Sequence, residues 1–195
     1  MAEKIDRRVK RTRRLVSEAF IQLVLEKGYD GVRIEDIIEQ ADVARTTFYT
    51  HFKDKGDLLQ YVADSFRHAA KENLPHIQLD AQGLPSVEQL TITFQNIADH
   101  AQVFQVALDA NGMPKLYDQI HQIIVEMIEV LLTNHAEATG REPAVPISLS
   151  AHHFTGALLS SAKWWLQENR LYLIPPDEMA KLFVQIHRDS LTAES

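Results

Sequence analysis

The row Arg45-Thr46-Thr47-Phe48-Tyr49-Thr50-His51 holds the densest set of groups that could grip an outside surface. At helical spacing these side chains are arranged around an apolar pair, Phe48 and Phe52. A short helix with a buried aromatic underside and exposed guanidinium, hydroxyl and imidazole groups suits the major groove of DNA. There each base pair presents its own pattern of donors and acceptors. Just upstream, Ile34, Ile37, Ile38 and Ala41 also recur at helical spacing, and Asp42-Val43-Ala44 supplies a turn. Two short helices joined in this way make a helix-turn-helix.

Charge supports this once it is divided along the chain. The net charge is −7, but residues 1–55 carry 12 Lys and Arg against 10 Asp and Glu, while residues 56–195 carry 8 against 17. Residues 1–14 are the most basic, with Lys4, Arg7, Arg8, Lys10, Arg11, Arg13 and Arg14 against Glu3 and Asp6. Such a cluster can neutralise phosphates, which makes binding salt-dependent. It can equally be a solvated, frayed terminus.

Other chemistries find little support. There is no cysteine among the 195 residues, which excludes disulfides and thiolate catalysis and fits a reducing cytoplasm. The chain has no Gly-x-Ser-x-Gly, phosphate-binding glycine loop or His-Glu-x-x-His, so neither an enzyme nor a cofactor is expected. His152 and His153 are adjacent, and neighbouring helical residues face different ways, so no metal site is expected either. No apolar run nears the ~20 residues of a membrane span.

The elements that position the row are all helical. Val16, Ala19, Phe20, Leu23 and Val24 stripe a first helix that Lys27-Gly28 closes. Asp54 and Asp57 cap a fourth helix that carries Leu58, Leu59, Val62 and Phe66 and runs to about Asn73. A loop is expected from His76 to Pro85. Further helices are expected near 86–99, 101–110, 114–138, 148–169 and 176–191, broken at Asn111-Gly112-Met113-Pro114, Thr139-Gly140 through Pro146, and Ile174-Pro175-Pro176. The fold class is all-α, with about nine helices. Residues 1–55 are expected to form a three-helix DNA-binding domain, and residues 56–195 a second helical domain.

Residues 8–59 resemble the DNA-binding domain of the TetR family of transcriptional regulators. The likeness rests on the basic first helix, the Ile-x-Asp-Ile type of second helix, and Thr47-Phe48-Tyr49-Thr50-His51-Phe52-Lys53-Asp54-Lys55-Gly56-Asp57-Leu58. Lys163-Trp164-Trp165-Leu166 and Pro175-Pro176-Asp177-Glu178-Met179-Ala180 resemble a subgroup related to regulators of dihydroxyacetone kinase operons. Three positions depart from the family pattern. Arg33 and Ala44 stand where Ser or Thr commonly caps a helix, at a typical cost of ~1 kcal/mol for a lost cap. Asp42 replaces a turn glycine, which Asp can do because it tolerates a left-handed backbone.

The resemblance implies a role for each exposed residue. Arg45 and Thr46 become base contacts, with Thr50 facing the same groove, and Arg suits guanine O6 and N7 in particular. Thr47, Tyr49, His51 and Lys55 become phosphate contacts, joined by Arg33. The plainer alternative for Tyr49 and His51 is packing within the small domain. The resemblance also implies a homodimer through the last two long helices, where Gly156 and Ser160 permit close approach and Trp164 and Phe183 add apolar area. Packing within one subunit's core is the alternative there. Phe94, His100, Phe104, Tyr117 and His121 are the candidates for a small-molecule pocket with apolar walls and scattered polar groups. The expected partners are operator DNA, a second copy of the chain and an effector of unspecified identity. A DNA-binding protein with no small-molecule effector, controlled by a protein partner or acting architecturally, is the rival.

Overall fold

The computed structural model describes residues 2–73, 79–80, 85–109 and 113–192. Among these are nine α-helices: α1 (Ala2–Gly31), α2 (Ile34–Gln40), α3 (Arg45–His51), α4 (Lys55–Asn73), α5 (Val87–Asp99), α6 (Ala101–Leu108), α7 (Pro114–Thr139), α8 (Ile147–Leu166) and α9 (Pro176–Thr192). A 3-10 turn over Gln167–Tyr172 connects the last two. The all-α architecture expected from the periodicity is therefore observed. The loop expected over His76–Pro85 and the break at Asn111-Gly112 lie largely outside the described residues, as does the side chain of Lys4. Leu79 and Pro85 form an isolated antiparallel bridge within the former.

Local chemistry sets where the helices stop. Gly28 breaks the helical span of α1 with φ 70 and ψ 159, a backbone that a side chain would strain. Asp42 takes φ 49 and turns α2 into α3 in place of a glycine. Asp54 Oδ1 accepts the Asp57 N–H at 2.8 Å, and the Asp57 carboxylate in turn accepts the Lys53 N–H at 3.0 Å, opening α4. Ser86 and Gln89 exchange side-chain and backbone hydrogen bonds at 3.2 and 3.3 Å to open α5. Arg33 supplies no side-chain cap to α2. Its N–H instead donates to Asp36 Oδ2 at 3.0 Å, so part of the lost cap is restored from inside the helix. That bond, chiefly, and then Lys27 hold the half-buried Asp36 carboxyl below its usual range. Ala44 leaves α3 without a side-chain cap.

One continuous apolar core crosses the expected domain boundary. Val16, Phe20, Ile37, Phe48 and Leu58 are fully buried at the helix-turn-helix end, and Phe94, Leu116, Ile120, Trp165 and Phe183 at the other. Helix α5 packs on α9, α7 on α8, and α4 on α7. Ion pairing of Arg67 with Glu126 at 2.8 Å and a Gln119–Gln60 hydrogen bond at 2.7 Å pin the α4–α7 seam. The Trp165 indole donates to the Ile174 carbonyl at 2.8 Å while its ring meets Phe94 edge-on at 5.5 Å. Helix α8 stops three residues before its expected end because Gln167 is extended, with ψ 151. Among the described residues no helix is long and apolar enough to cross a membrane.

Candidate nucleic-acid interface and effector cavity

Helix α3 rests on Phe48, which is completely buried, and Phe52 caps its end. The other faces are open. Arg45, Thr46, Tyr49 and Thr50 are exposed, and Thr47 and His51 are half-buried. A single short helix thus displays the guanidinium, hydroxyl and phenol groups together. The Thr50 hydroxyl donates to the Thr46 carbonyl at 2.8 Å, which turns its hydrogen inward and leaves lone pairs and a methyl facing out. The Arg45 guanidinium lies 5.6 Å from the Tyr49 ring centre, over the ring. Burial, and secondarily the charge of Arg13, hold the His51 imidazole below its ordinary pKa. The shift favours the neutral ring, which carries one N–H donor.

Two basic residues are placed differently from expectation. Lys55 Nζ donates to the Tyr29 carbonyl at 2.6 Å and the Val32 carbonyl at 2.9 Å, and sits 4.2 Å from the Tyr29 ring centre. Two of its three protons thus tie the start of α4 to the α1–α2 turn, leaving one for the phosphate contact expected of it. Arg13, counted in the basic terminal cluster, lies inward over Tyr61 at 5.4 Å and Phe52 at 6.0 Å. Arg33, by contrast, is exposed beside α2.

Behind the helix-turn-helix lies a cavity of about 980 Å³. Its wall is shared by α1, α4, α5, α6, α7 and α8, through residues such as Ile21, Phe66, Ile97, Val103, Ile124 and Leu158. Of the expected pocket residues, His100 and Phe104 line it. Phe94, Tyr117 and His121 are not in its wall, and each has a physical reason to be elsewhere. Phe94 faces the core between Trp165 and Phe183. Tyr117 stacks along α7 on His121 at 5.8 Å, and His121 faces His152 on α8 at 5.7 Å.

Sequence reasoning missed the contribution of α1. Arg14, Ser17, Ile21 and Gln22 line the cavity from that helix. Ile21, apolar yet off the Val16–Phe20–Val24 stripe, was the available signal of a second buried face. Tyr61 in the same wall meets Phe52 edge-on at 5.5 Å, Phe52 lies 5.9 Å from Phe48, and Phe48 meets Tyr49 at 5.4 Å. An unbroken run of ring contacts therefore joins the cavity wall to the side chain that holds Arg45. Gln22, also in the wall, accepts from the Gln40 amide at 3.1 Å, at the last residue of α2.

The expected dimer residues divide. Ser160 and Trp164 are exposed on α8, and a Cβ built at Gly156 would meet nothing within 4 Å. Phe183 is a correction: at 1% exposure it packs on Phe94 and Phe154 inside its own subunit. Ile186, 62% exposed, is a large apolar residue that α9 turns outward.

Two family models match separate parts of the chain. Residues 18–62 match the model of bacterial regulatory proteins of the tetR family, and residues 87–189 match a transcriptional regulator C-terminal region. An uncharacterised HTH-type transcriptional regulator of Bacillus subtilis, YxbF, is 24% identical over 189 residues, covering 94% of this chain and 46% of that protein. The chain spans less than half the length of such curated relatives, with 34% and 37% of two more. DhaS of Lactococcus lactis, an HTH-type activator of the dhaKLM operon, is 28% identical over 54 residues, covering 28% of this chain and 29% of that one. Among solved structures, a TetR-family transcriptional regulator of Syntrophomonas wolfei superimposes with a TM-score of 0.76 at 21% identity, covering 95% of this chain and 97% of that one.

Proposed function

Because this chain belongs to the TetR family of bacterial regulatory proteins, we propose that it is a dimeric repressor, released from its operator by a small molecule. At the coarser level it is a DNA-binding transcription regulator and not an enzyme. The observation that carries the reading is the polar, exposed face of α3 standing on a fully buried Phe48. Its groups match the needs of the major groove, with Arg45 and Thr46 toward base edges and Tyr49, Thr47 and His51 toward phosphates.

One recognition helix reaches only a few base pairs, so helix-turn-helix proteins pair two of them about one duplex turn apart. The outward face of α8, with Leu149, Gly156, Ser160 and Trp164, is the surface assigned to the second copy, together with the exposed Ile186 of α9. The cavity is assigned to the effector. The three Ser and Thr hydroxyls in its wall are already engaged: Ser17, Ser65 and Thr93 donate to carbonyls of their own helices at 2.8, 2.8 and 3.1 Å. An occupant chiefly of hydrocarbon character fits such a wall. It would press on Tyr61, and through the ring contacts on α3, while tilting α4. The effector must favour the arrangement with low operator affinity, and operator must weaken effector binding by the same factor. An apolar cleft of this size favours this reading over a regulator controlled by a protein partner. Kinship with dihydroxyacetone kinase operon regulators is part of the proposal and identifies no effector.

Selection of bound duplexes from a randomised pool tests the reading. The expected product is one shared inverted repeat. Salt-sensitive binding without any shared sequence would overturn it.

A further inference from the structure

Arg45, the residue assigned to base reading, is already held before DNA arrives. Its Nη1 lies 3.2 Å from Glu35 Oε1, and its guanidinium covers the Tyr49 ring. Glu35 stands in the first turn of α2 and Arg45 opens α3, so the pair spans the two members of the helix-turn-helix. With side-chain exposures of 62% and 64%, it contributes little to stability. Its geometry suits another purpose.

We propose that Glu35 is a positioning residue that, with Tyr49, presents the Arg45 guanidinium to a guanine. This rests on the DNA-binding reading above. A guanidinium offers five N–H donors in a planar fork, and bidentate recognition of guanine O6 and N7 needs two from one edge. A contact through Nη1 leaves the edge formed by Nε and Nη2 free. The Tyr49 ring, centred 5.6 Å from Arg45 Cζ, attracts the cation through its π face and needs no N–H donor from that edge. An unrestrained arginine surrenders its rotamer freedom on meeting a base, whereas one clamped between a carboxylate and a ring surrenders less. The carboxylate also sharpens rejection. A base pair lacking paired acceptors gives Arg45 nothing to match, so Arg45 stays with Glu35 and the mismatched site gains no contact.

The test compares wild type with Glu35→Gln on two duplexes at one salt concentration. The first is the site enriched from a randomised pool. The second differs only by A·T for G·C at the pair whose preference Arg45→Ala abolishes. Glu35→Gln should fold as wild type does, because the site is exposed, and should reduce the preference between duplexes by about three- to five-fold. In the Arg45→Ala background the same change should leave the preference unaltered, which isolates the coupling. The proposal is overturned if Glu35→Gln tightens both duplexes equally with the preference intact, since the carboxylate then only repels phosphate. Failure of wild type to enrich any shared sequence would bring down the parent reading, and this one with it.

Discussion

Truncating Phe48 to alanine should destabilise the helix-turn-helix by about 3–5 kcal/mol. The ring is completely buried and packs against Tyr49 and Phe52 at 5.4 and 5.9 Å. Removing it leaves a cavity beneath a helix of only seven residues, with no side-chain cap to hold it from its start. Such a helix is not stable alone and exists here because its aromatic underside is buried. Domains are stable by only 5–15 kcal/mol, so this single change removes a large part of the margin. Urea unfolding followed by far-ultraviolet circular dichroism reads it directly, as a lower midpoint or a separate early transition. A loss below ~1 kcal/mol would mean that Phe48 is not the support of α3.

The second large effect concerns recognition. Arg45→Ala should leave the fold intact, because the side chain is exposed and its ion pair with Glu35 is a surface one. Each good bidentate contact to guanine is worth about 1–3 kcal/mol of discrimination. A site read by two subunits loses it twice, so affinity for the selected duplex should fall by roughly 2–6 kcal/mol toward the non-specific level. The slope of affinity against salt should hardly change, since a base contact releases no counterions. Equilibrium titrations of the selected and an unrelated duplex, at several salt concentrations, check both statements. An equal loss on both duplexes with a shallower slope would make Arg45 a phosphate contact.

The helix-turn-helix was legible because its signals are local. Phe48 and Phe52 at one-turn spacing, the Asp42 turn and the Gly28 break each fix nearby backbone, and the structure has all of them. The helix boundaries at Pro114 and Gly140 were readable for the same reason. What could not be read depends on how distant helices dock. Lys55 finds its carbonyls at Tyr29 and Val32, 26 and 23 residues earlier, and no spacing rule announces that. Helix α9 has apolar residues on two faces, so its periodicity could not decide between Phe183 and Ile186 as the outward one. The cavity is bounded partly by α1, and its position follows from packing the DNA-binding helices against the C-terminal ones. Phe94, Tyr117 and His121 have suitable chemistry in a suitable stretch of sequence, yet face other neighbours.

Hydroxyl-radical footprinting on the selected duplex, with the protein's stoichiometry measured on the same complex, tests the central claim most directly. Two α3 helices carried by a symmetric pair should protect two patches on one face of the duplex. Their centres should lie about 34–36 Å apart or a multiple of that, with an even number of chains bound. A single protected patch with one chain, or uniform protection without a boundary, would contradict a paired reader of an inverted repeat.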